Sequence, residues 1–143
     1  MTNTKMTVSD TQASDNGALI WKKISYGLGI FSLALGAAEL LAPKKIASAL
    51  SSEGHEKLIR GFGARELVAG GGLVTDPGHG LRVWNRVAGD AMDLVALHFA
   101  RVRAPDNRNI WGAIAFVAVV TTLDICTAAS LDRRTGKSLP IGR

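Results

Sequence analysis

A row of charged side chains inside an apolar segment is the first candidate for chemistry in this sequence. Arg86, Asp90 and Asp93 lie within residues 81–100, at spacings of four and three residues. At 100° per residue these spacings place the three side chains, with Leu97, on one face of an α-helix. A cation beside two carboxylates is suited to proton exchange, cation binding or the locking of neighbouring helices.

The segment that holds this charged face is one of four apolar segments. They cover residues 24–42, 58–75, 81–100 and 110–131, and each approaches the roughly 20 residues with which a helix crosses a bilayer. The middle two carry charges and many glycines, as inward-facing members of a membrane bundle do. We predict an all-α fold, a four-helix transmembrane bundle with inward-facing charged residues. The alternative is two spans with two buried or interfacial helices.

The length of 143 residues suits one domain. We divide the chain into a disordered polar N-terminal arm at residues 1–20, a four-span membrane domain at 21–132 and a basic C-terminal tail at 133–143. The arm lacks the apolar core of a cleaved signal peptide. Between the first two spans, Ile46, Ala47 and Leu50 predict a short helix that lies in the membrane interface.

Lysine and arginine residues outnumber acids, and the formal net charge is +5. In a soluble protein this excess would suggest nucleic acid as a partner. Here the basic residues flank the apolar segments, where they would meet lipid head groups. We therefore expect the lipid bilayer as a partner and no nucleic acid. Eight Lys and Arg residues on the side of the termini, against six on the other side, favour cytoplasmic termini.

The second span places Arg65 and Glu66 near its middle. Adjacent residues on a helix point about 100° apart, so these two are predicted to reach different neighbours. The turn at residues 76–80 is short, so the second and third spans must be antiparallel neighbours, and we predict that they are in contact. Arg65 then lies level with Asp90 and Asp93, and we predict a bridge from Arg65 to one of them.

Small side chains line one side of the first span. Ser25, Gly29, Ser32 and Gly36 form this stripe, which predicts that a neighbouring backbone approaches closely. Glu39 ends the same stripe, near the helix boundary.

The acids in the apolar segments outnumber the bases. The candidate residues for ligand binding or ion coupling are the acids Glu39, Glu66, Asp90, Asp93 and Asp124 and the bases Arg60, Arg65 and Arg86. Five acids against three bases leave two negative charges without an internal partner. A proton, a bound cation, a cationic ligand, a basic partner helix or a water-filled cleft would neutralise this excess.

Several other kinds of site lack the residues they need. Cys126 is the single cysteine, so no internal disulfide or cysteine metal cluster forms. His55 and His98 do not have the spacing of metal or haem ligands. The glycines at 70–72 match neither the phosphate-binding nor the dinucleotide-binding pattern. We expect no cofactor, no metal and no catalytic residues, because an enzyme using the Asp pair as acid and base would lack a nucleophile.

Two motifs in the middle spans resemble a bacterial family of small membrane proteins. They read Arg60-Gly61-x-Gly63-x-Arg65-Glu66, followed by Gly70 and Gly72, and Trp84-x-Arg86-x-x-Gly89-Asp90-x-x-Asp93-Leu94. The chain resembles the transmembrane region of proteins labelled cyclase/dehydrase, over about residues 24–131. The resemblance implies a multi-pass protein of the bacterial inner membrane, with no activity assigned to particular residues. Some members carry a soluble START-like domain; this sequence shows none after Arg143, so we expect no cyclase or dehydrase chemistry.

The sequence favours a non-catalytic membrane module that binds a partner protein or a lipid-like ligand through a buried Arg/Asp/Glu network. A membrane protein or a second copy of the chain is the protein partner we expect. The alternative is a proton- or cation-coupled transporter or channel component that uses Asp90 and Asp93, with Arg65 or Arg86 as countercharge. An apolar side pocket with charge at its base would favour the ligand; a water path to the Asp pair from both sides would favour transport.

Overall fold

The computed structural model describes residues 8–135, and over this range the protein is all-α, as predicted. It contains α1 (Val8–Leu41), α2 (Pro43–Ala49), α3 (Glu56–Thr75), α4 (Gly80–Arg103) and α5 (Arg108–Thr135). The four long helices contain nearly all of the four apolar segments. Residues 1–7 of the proposed arm and 136–143 of the proposed tail lie outside the described residues.

The helix boundaries follow from proline and from the short links. Pro43 opens α2, where its missing N–H and fixed φ are tolerated. Helix α4 ends at Arg103 because Pro105 disfavours helical geometry in Ala104, the residue that precedes it. Helix α1 begins at Val8, so it includes residues 8–20, where we expected a disordered arm.

The closest backbone contact joins α1 and α3 through pairs of glycines. A Cβ atom on Gly36 would lie 2.6 Å from the carbonyl oxygen of Gly63, and one on Gly70 would lie 2.7 Å from that of Gly29. Since a real side chain does not fit at these distances, the glycines are what allows the two backbones to touch. The small-residue stripe of α1 therefore packs against α3, as predicted.

The prediction that the second and third spans are neighbours is confirmed, because α3 and α4 are in contact. Theirs is not the closest contact, since α1 packs most closely on α3, and α4 on α5. Gly63 and Gly70 of α3 face α1, whereas α3 and α4 meet through the long side chains of Arg65 and Arg86. These guanidinium groups hold the two backbones apart.

Apolar side chains occupy both a small core and much of the outer surface. The core cluster is Leu28, Leu73, Val83, Ala128 and Leu131. Large apolar side chains also point outward, with Val68 77% exposed and Val119 70% exposed. By length and composition, the helical stretches Asp15–Leu41 and Arg108–Arg134 could cross a membrane, and only 28% and 22% of their most apolar windows are buried.

Polar contacts tie the helix ends together at both ends of the molecule. At one end, the Asn107 side chain donates hydrogen bonds to the Ala49 carbonyl (3.0 Å) and to Ser51 Oγ (2.8 Å). At the other end, Trp84 Nε1 donates to Asp132 Oδ2 over 2.7 Å. These contacts fix the register of the helices, and the candidate charged residues lie between them.

Candidate functional site

Arg86 lies at the centre of a buried network that reaches all four long helices. Its side chain on α4 is only 1% exposed. The guanidinium donates from Nη1 to Glu66 Oε2 on α3 (2.9 Å) and from Nε to Asp124 Oδ2 on α5 (3.0 Å). Nη1 also contacts Ser32 Oγ on α1, and the Ser32 hydroxyl donates to Glu66 Oε2 over 2.8 Å. A buried guanidinium is tolerated only with such acceptors around it.

Arg65 extends the network along α3. Its Nη2 atom lies 2.7 Å from Glu66 Oε1 and 2.8 Å from Asp93 Oδ2. Gly89 makes room for it, since a Cβ atom there would lie 2.5 Å from Arg65 Nη1. The predicted bridge from Arg65 to Asp93 is therefore present. Arg65 and Glu66 do reach different neighbours, since Arg65 contacts Asp93 whereas Glu66 contacts Arg86 and Ser32. The expectation that they do so instead of contacting each other is wrong, because the long Arg65 side chain also reaches Glu66.

Asp90 on α4 and Asp124 on α5 both lie beside Arg86. Asp124 Oδ2 is 3.0 Å from Arg86 Nε, and Asp90 Oδ1 lies 4.0 Å from Arg86 Nη2. Asp90 Oδ2 and Asp124 Oδ1 are buried without a hydrogen-bond partner. Ionised carboxylates only accept hydrogen bonds, so these two oxygens still require a donor.

The remaining two candidates lie outside this cluster. Glu39, near the end of α1, interacts electrostatically with Asp93, Glu66 and Arg65. Its Oε2 atom is buried without a hydrogen-bond partner. Arg60 is exposed and forms none of the ion pairs found among residues 8–135. We therefore define the charge network as Arg65, Glu66, Arg86, Asp90, Asp93 and Asp124, together with Ser32.

Ser32 is the member of the network that sequence reasoning missed as a site residue. The sequence places it among the small residues of α1, where a packing role explains it fully. Its hydroxyl nevertheless bridges Arg86 and Glu66. A polar hydroxyl on a glycine-rich helix face is the signal that could have marked it, because buried hydroxyl groups are nearly always hydrogen-bonded.

A lateral cavity of about 420 Å³ opens beside the charge network. Its walls are mainly apolar and include Leu35, Ile59, Phe62, Leu97 and Phe116. They come from all four long helices, with α2 and the segment after it contributing at one end. This cavity could not be located from the sequence, because its lining is drawn from residues far apart in the chain.

Two acids connect the cavity to the charge network. Glu39 and Asp93 both line the cavity. Asp93 uses Oδ2 to accept from Arg65, whereas its Oδ1 atom is buried without a hydrogen-bond partner, like Glu39 Oε2. Each of these two lining acids therefore has an oxygen that still requires a hydrogen-bond donor.

The carboxylates of Glu66, Asp90 and Asp93 each offer an oxygen within 4.8 Å of the others. Such spacing could hold a metal ion, but the guanidinium groups of Arg65 and Arg86 already contact these oxygens. Because a metal ion would be repelled by both cations, the arrangement is better suited to a proton.

Comparisons of the chain with protein-family models, with curated proteins and with solved structures find no match. The function therefore has to be inferred from the residues of this chain.

Proposed function

We propose that this chain is a non-catalytic membrane module, a bundle of four spanning helices that binds a lipid-like ligand in the lateral cavity. The observation that carries the proposal is the apolar cavity of about 420 Å³ with two acids, Glu39 and Asp93, in its lining. This volume is within the range of roughly 300–1,000 Å³ that is typical of small-molecule sites.

The distribution of apolar and charged side chains supports membrane insertion. Arg86, Glu66 and Asp124 are buried, whereas large apolar residues such as Val68 and Val119 are on the outside. This is the reverse of the arrangement in a water-soluble protein, and it is stable where the surroundings are hydrocarbon. The 20 residues of α3 and the 24 of α4 are long enough to span a bilayer. Their charged faces are covered by α1 and α5.

The charge network is better suited to holding the helices together than to catalysis. Three nitrogen atoms of Arg86 are directed at carboxylates of the network, and Arg65 bridges Glu66 and Asp93. Groups that are already paired with each other are poorly placed to attack or to protonate a ligand. Glu39 and Asp93 differ, because both line the cavity and each has an oxygen without a hydrogen-bond partner.

A binding assay with an uncharged long-chain alcohol tests the proposal. Radiolabelled dodecanol is titrated onto the protein in nanodiscs of zwitterionic lipid, with empty nanodiscs as background. We expect saturable binding to the wild type and its loss in Ala113→Phe, because Ala113 lines the cavity and the larger ring would fill it. The matched control is Ala115→Phe, on the exposed side of α5, which should bind as the wild type does. Absence of saturable binding, or equal binding by the two variants, contradicts the proposal.

A second candidate function is proton-coupled transport. Two buried acids beside one guanidinium, Asp90 and Asp124, favour it, since an oxygen of each has no hydrogen-bond partner and could bind and release a proton. Proton flux into liposomes distinguishes the two functions. Under the ligand-binding proposal, wild type and Asp90→Asn both give the flux of empty liposomes. Flux above that background which Asp90→Asn abolishes would replace ligand binding by transport.

A further inference from the structure

We infer that the ligand of the lateral cavity is a long-chain amine, held by its protonated head group between Glu39 and Asp93. The inference deepens the proposed function and rests on the cavity being a ligand site. It specifies what the proposed function leaves open, which is the chemistry of the head group.

The charge of the site is the first argument. Two arginines, Arg65 and Arg86, face the four acids of the charge network, and Glu39 adds a fifth acid beside it. The five acids therefore outnumber the two arginines by three. A cation in the cavity would meet this excess where Glu39 and Asp93 line it.

The hydrogen bonding of the site is the second argument. Glu39 Oε2 on α1 and Asp93 Oδ1 on α4 are both buried without a partner, and both residues line the same cavity. Carboxylate oxygens only accept, so the missing group must donate. A primary ammonium has three N–H donors and no acceptor and can serve both oxygens. A fatty acid would be repelled, an alcohol has one donor, and a quaternary ammonium has charge without a donor.

The protein's own cations do not meet this need. Arg65 donates through Nη2 to Glu66 and to Asp93 Oδ2. Its Nε and Nη1 atoms are buried without a partner and do not reach Glu39 Oε2 or Asp93 Oδ1. Arg103 also lines the cavity, but it is ten residues from Asp93 on α4, or about 15 Å along the helix axis. The walls of the cavity are apolar, as an alkyl chain attached to the amine requires.

Competition between ligands whose alkyl chains have the same length tests the inference. Dodecylamine, dodecyltrimethylammonium and dodecanoate each displace radiolabelled dodecanol from the protein in nanodiscs of zwitterionic lipid at pH 7. We expect dodecylamine to bind about tenfold more tightly than dodecanol or better, as charge-assisted hydrogen bonds allow. Dodecyltrimethylammonium should bind less tightly than the amine, and dodecanoate should be the weakest competitor.

The variant Glu39→Gln separates recognition of the amine from folding. Glu39 takes part in no ion pair found among residues 8–135, so the amide preserves the packing. We expect it to reduce the preference for dodecylamine over dodecanol, measured as the ratio of the two affinities in the same variant, about tenfold. The control is Asp106→Asn, an exposed acid between α4 and α5, which should keep the wild-type preference.

Two results would overturn the inference alone: dodecanol binding saturably with no preference for the amine, or Glu39→Gln retaining the full preference. If none of the dodecyl ligands binds saturably to the protein, the proposed function itself fails. The two failures are therefore distinguishable in one set of titrations.

Discussion

Arg86 joins α4 to the three other long helices through one side chain. Its contacts are Ser32, Glu66 and Asp124, and all of these partners are buried. Removing one member of a buried ion pair leaves the others as uncompensated charges, which costs more than the pair contributes by itself. The stability of the whole helical assembly should therefore depend on this residue.

We predict that Arg86→Met lowers the free energy of unfolding by about 3–5 kcal/mol, because Glu66 and Asp124 lose their counterion. Unfolding of the detergent-solubilised protein in a denaturant titration measures it. The control is Arg82→Met, one turn earlier on α4, where the side chain is 43% exposed and lies 3.8 Å from Asp76. That variant should lose at most about 1 kcal/mol. Equal losses in the two variants would show that the network does not hold the helices.

At the level of single residues, the sequence predicted much of the network. Charges within apolar segments must find partners, and the spacing of Arg86, Asp90 and Asp93 placed them on one face. Arg60 is also among the candidates, although it lies nearer the end of the second span than Arg65, and the structure leaves it exposed. The rotation of α3 about its axis decides the difference, and that rotation depends on where its glycines pack.

Helix α3 uses its glycines in two different ways. A Cβ atom on Gly70 would meet the Gly29 carbonyl oxygen at 2.7 Å and the Leu33 nitrogen at 2.9 Å, whereas nothing lies within 4 Å of one on Gly71. Gly70 therefore contacts α1, whereas its neighbour Gly71 faces outward. The sequence showed the glycine run but not which of its members touches α1.

We predict opposite effects of alanine at these two positions. Gly70→Ala should lower the free energy of unfolding by about 1–3 kcal/mol, because the methyl group forces α1 and α3 apart. Gly71→Ala should raise it by up to about 1 kcal/mol, because alanine is the better helix former and has free space. The same denaturant titration measures both. A loss of stability in Gly71→Ala as large as that in Gly70→Ala would contradict the close contact of α1 and α3.

The limits of α3, α4 and α5 were accessible from the sequence, but the start of α1 at Val8 and the pairing of the helices were not. The short turn between α3 and α4 makes them neighbours, yet it does not determine how closely they pack. Close packing requires small residues on both facing surfaces, and α3 finds them on α1 at Gly29 and Gly36.

On the scale of the whole molecule, the proposal of four spanning helices predicts on which side of the membrane each loop lies. Glu53 and Asp106 belong to the two loops at one end of the helices, and Asp76 to the turn at the other end. We replace the native thiol by Cys126→Ser and introduce Glu53→Cys, Asp76→Cys or Asp106→Cys. An impermeant thiol reagent applied to sealed vesicles should label positions 53 and 106 from one side and position 76 from the other. Labelling of all three from the same side would support two spans instead.

The central claim is that the lateral cavity, within the membrane, holds an alkyl chain. Photolabelling of the protein in native membranes with a diazirine-bearing dodecylamine tests it most directly. We predict labelling, competed by unlabelled dodecylamine, of the cavity residues Phe62, Ala96 and Phe116, and its loss in Ala113→Phe. Labelling confined to the outward-facing Val68 and Val119, unaffected by competitor or by Ala113→Phe, would contradict it.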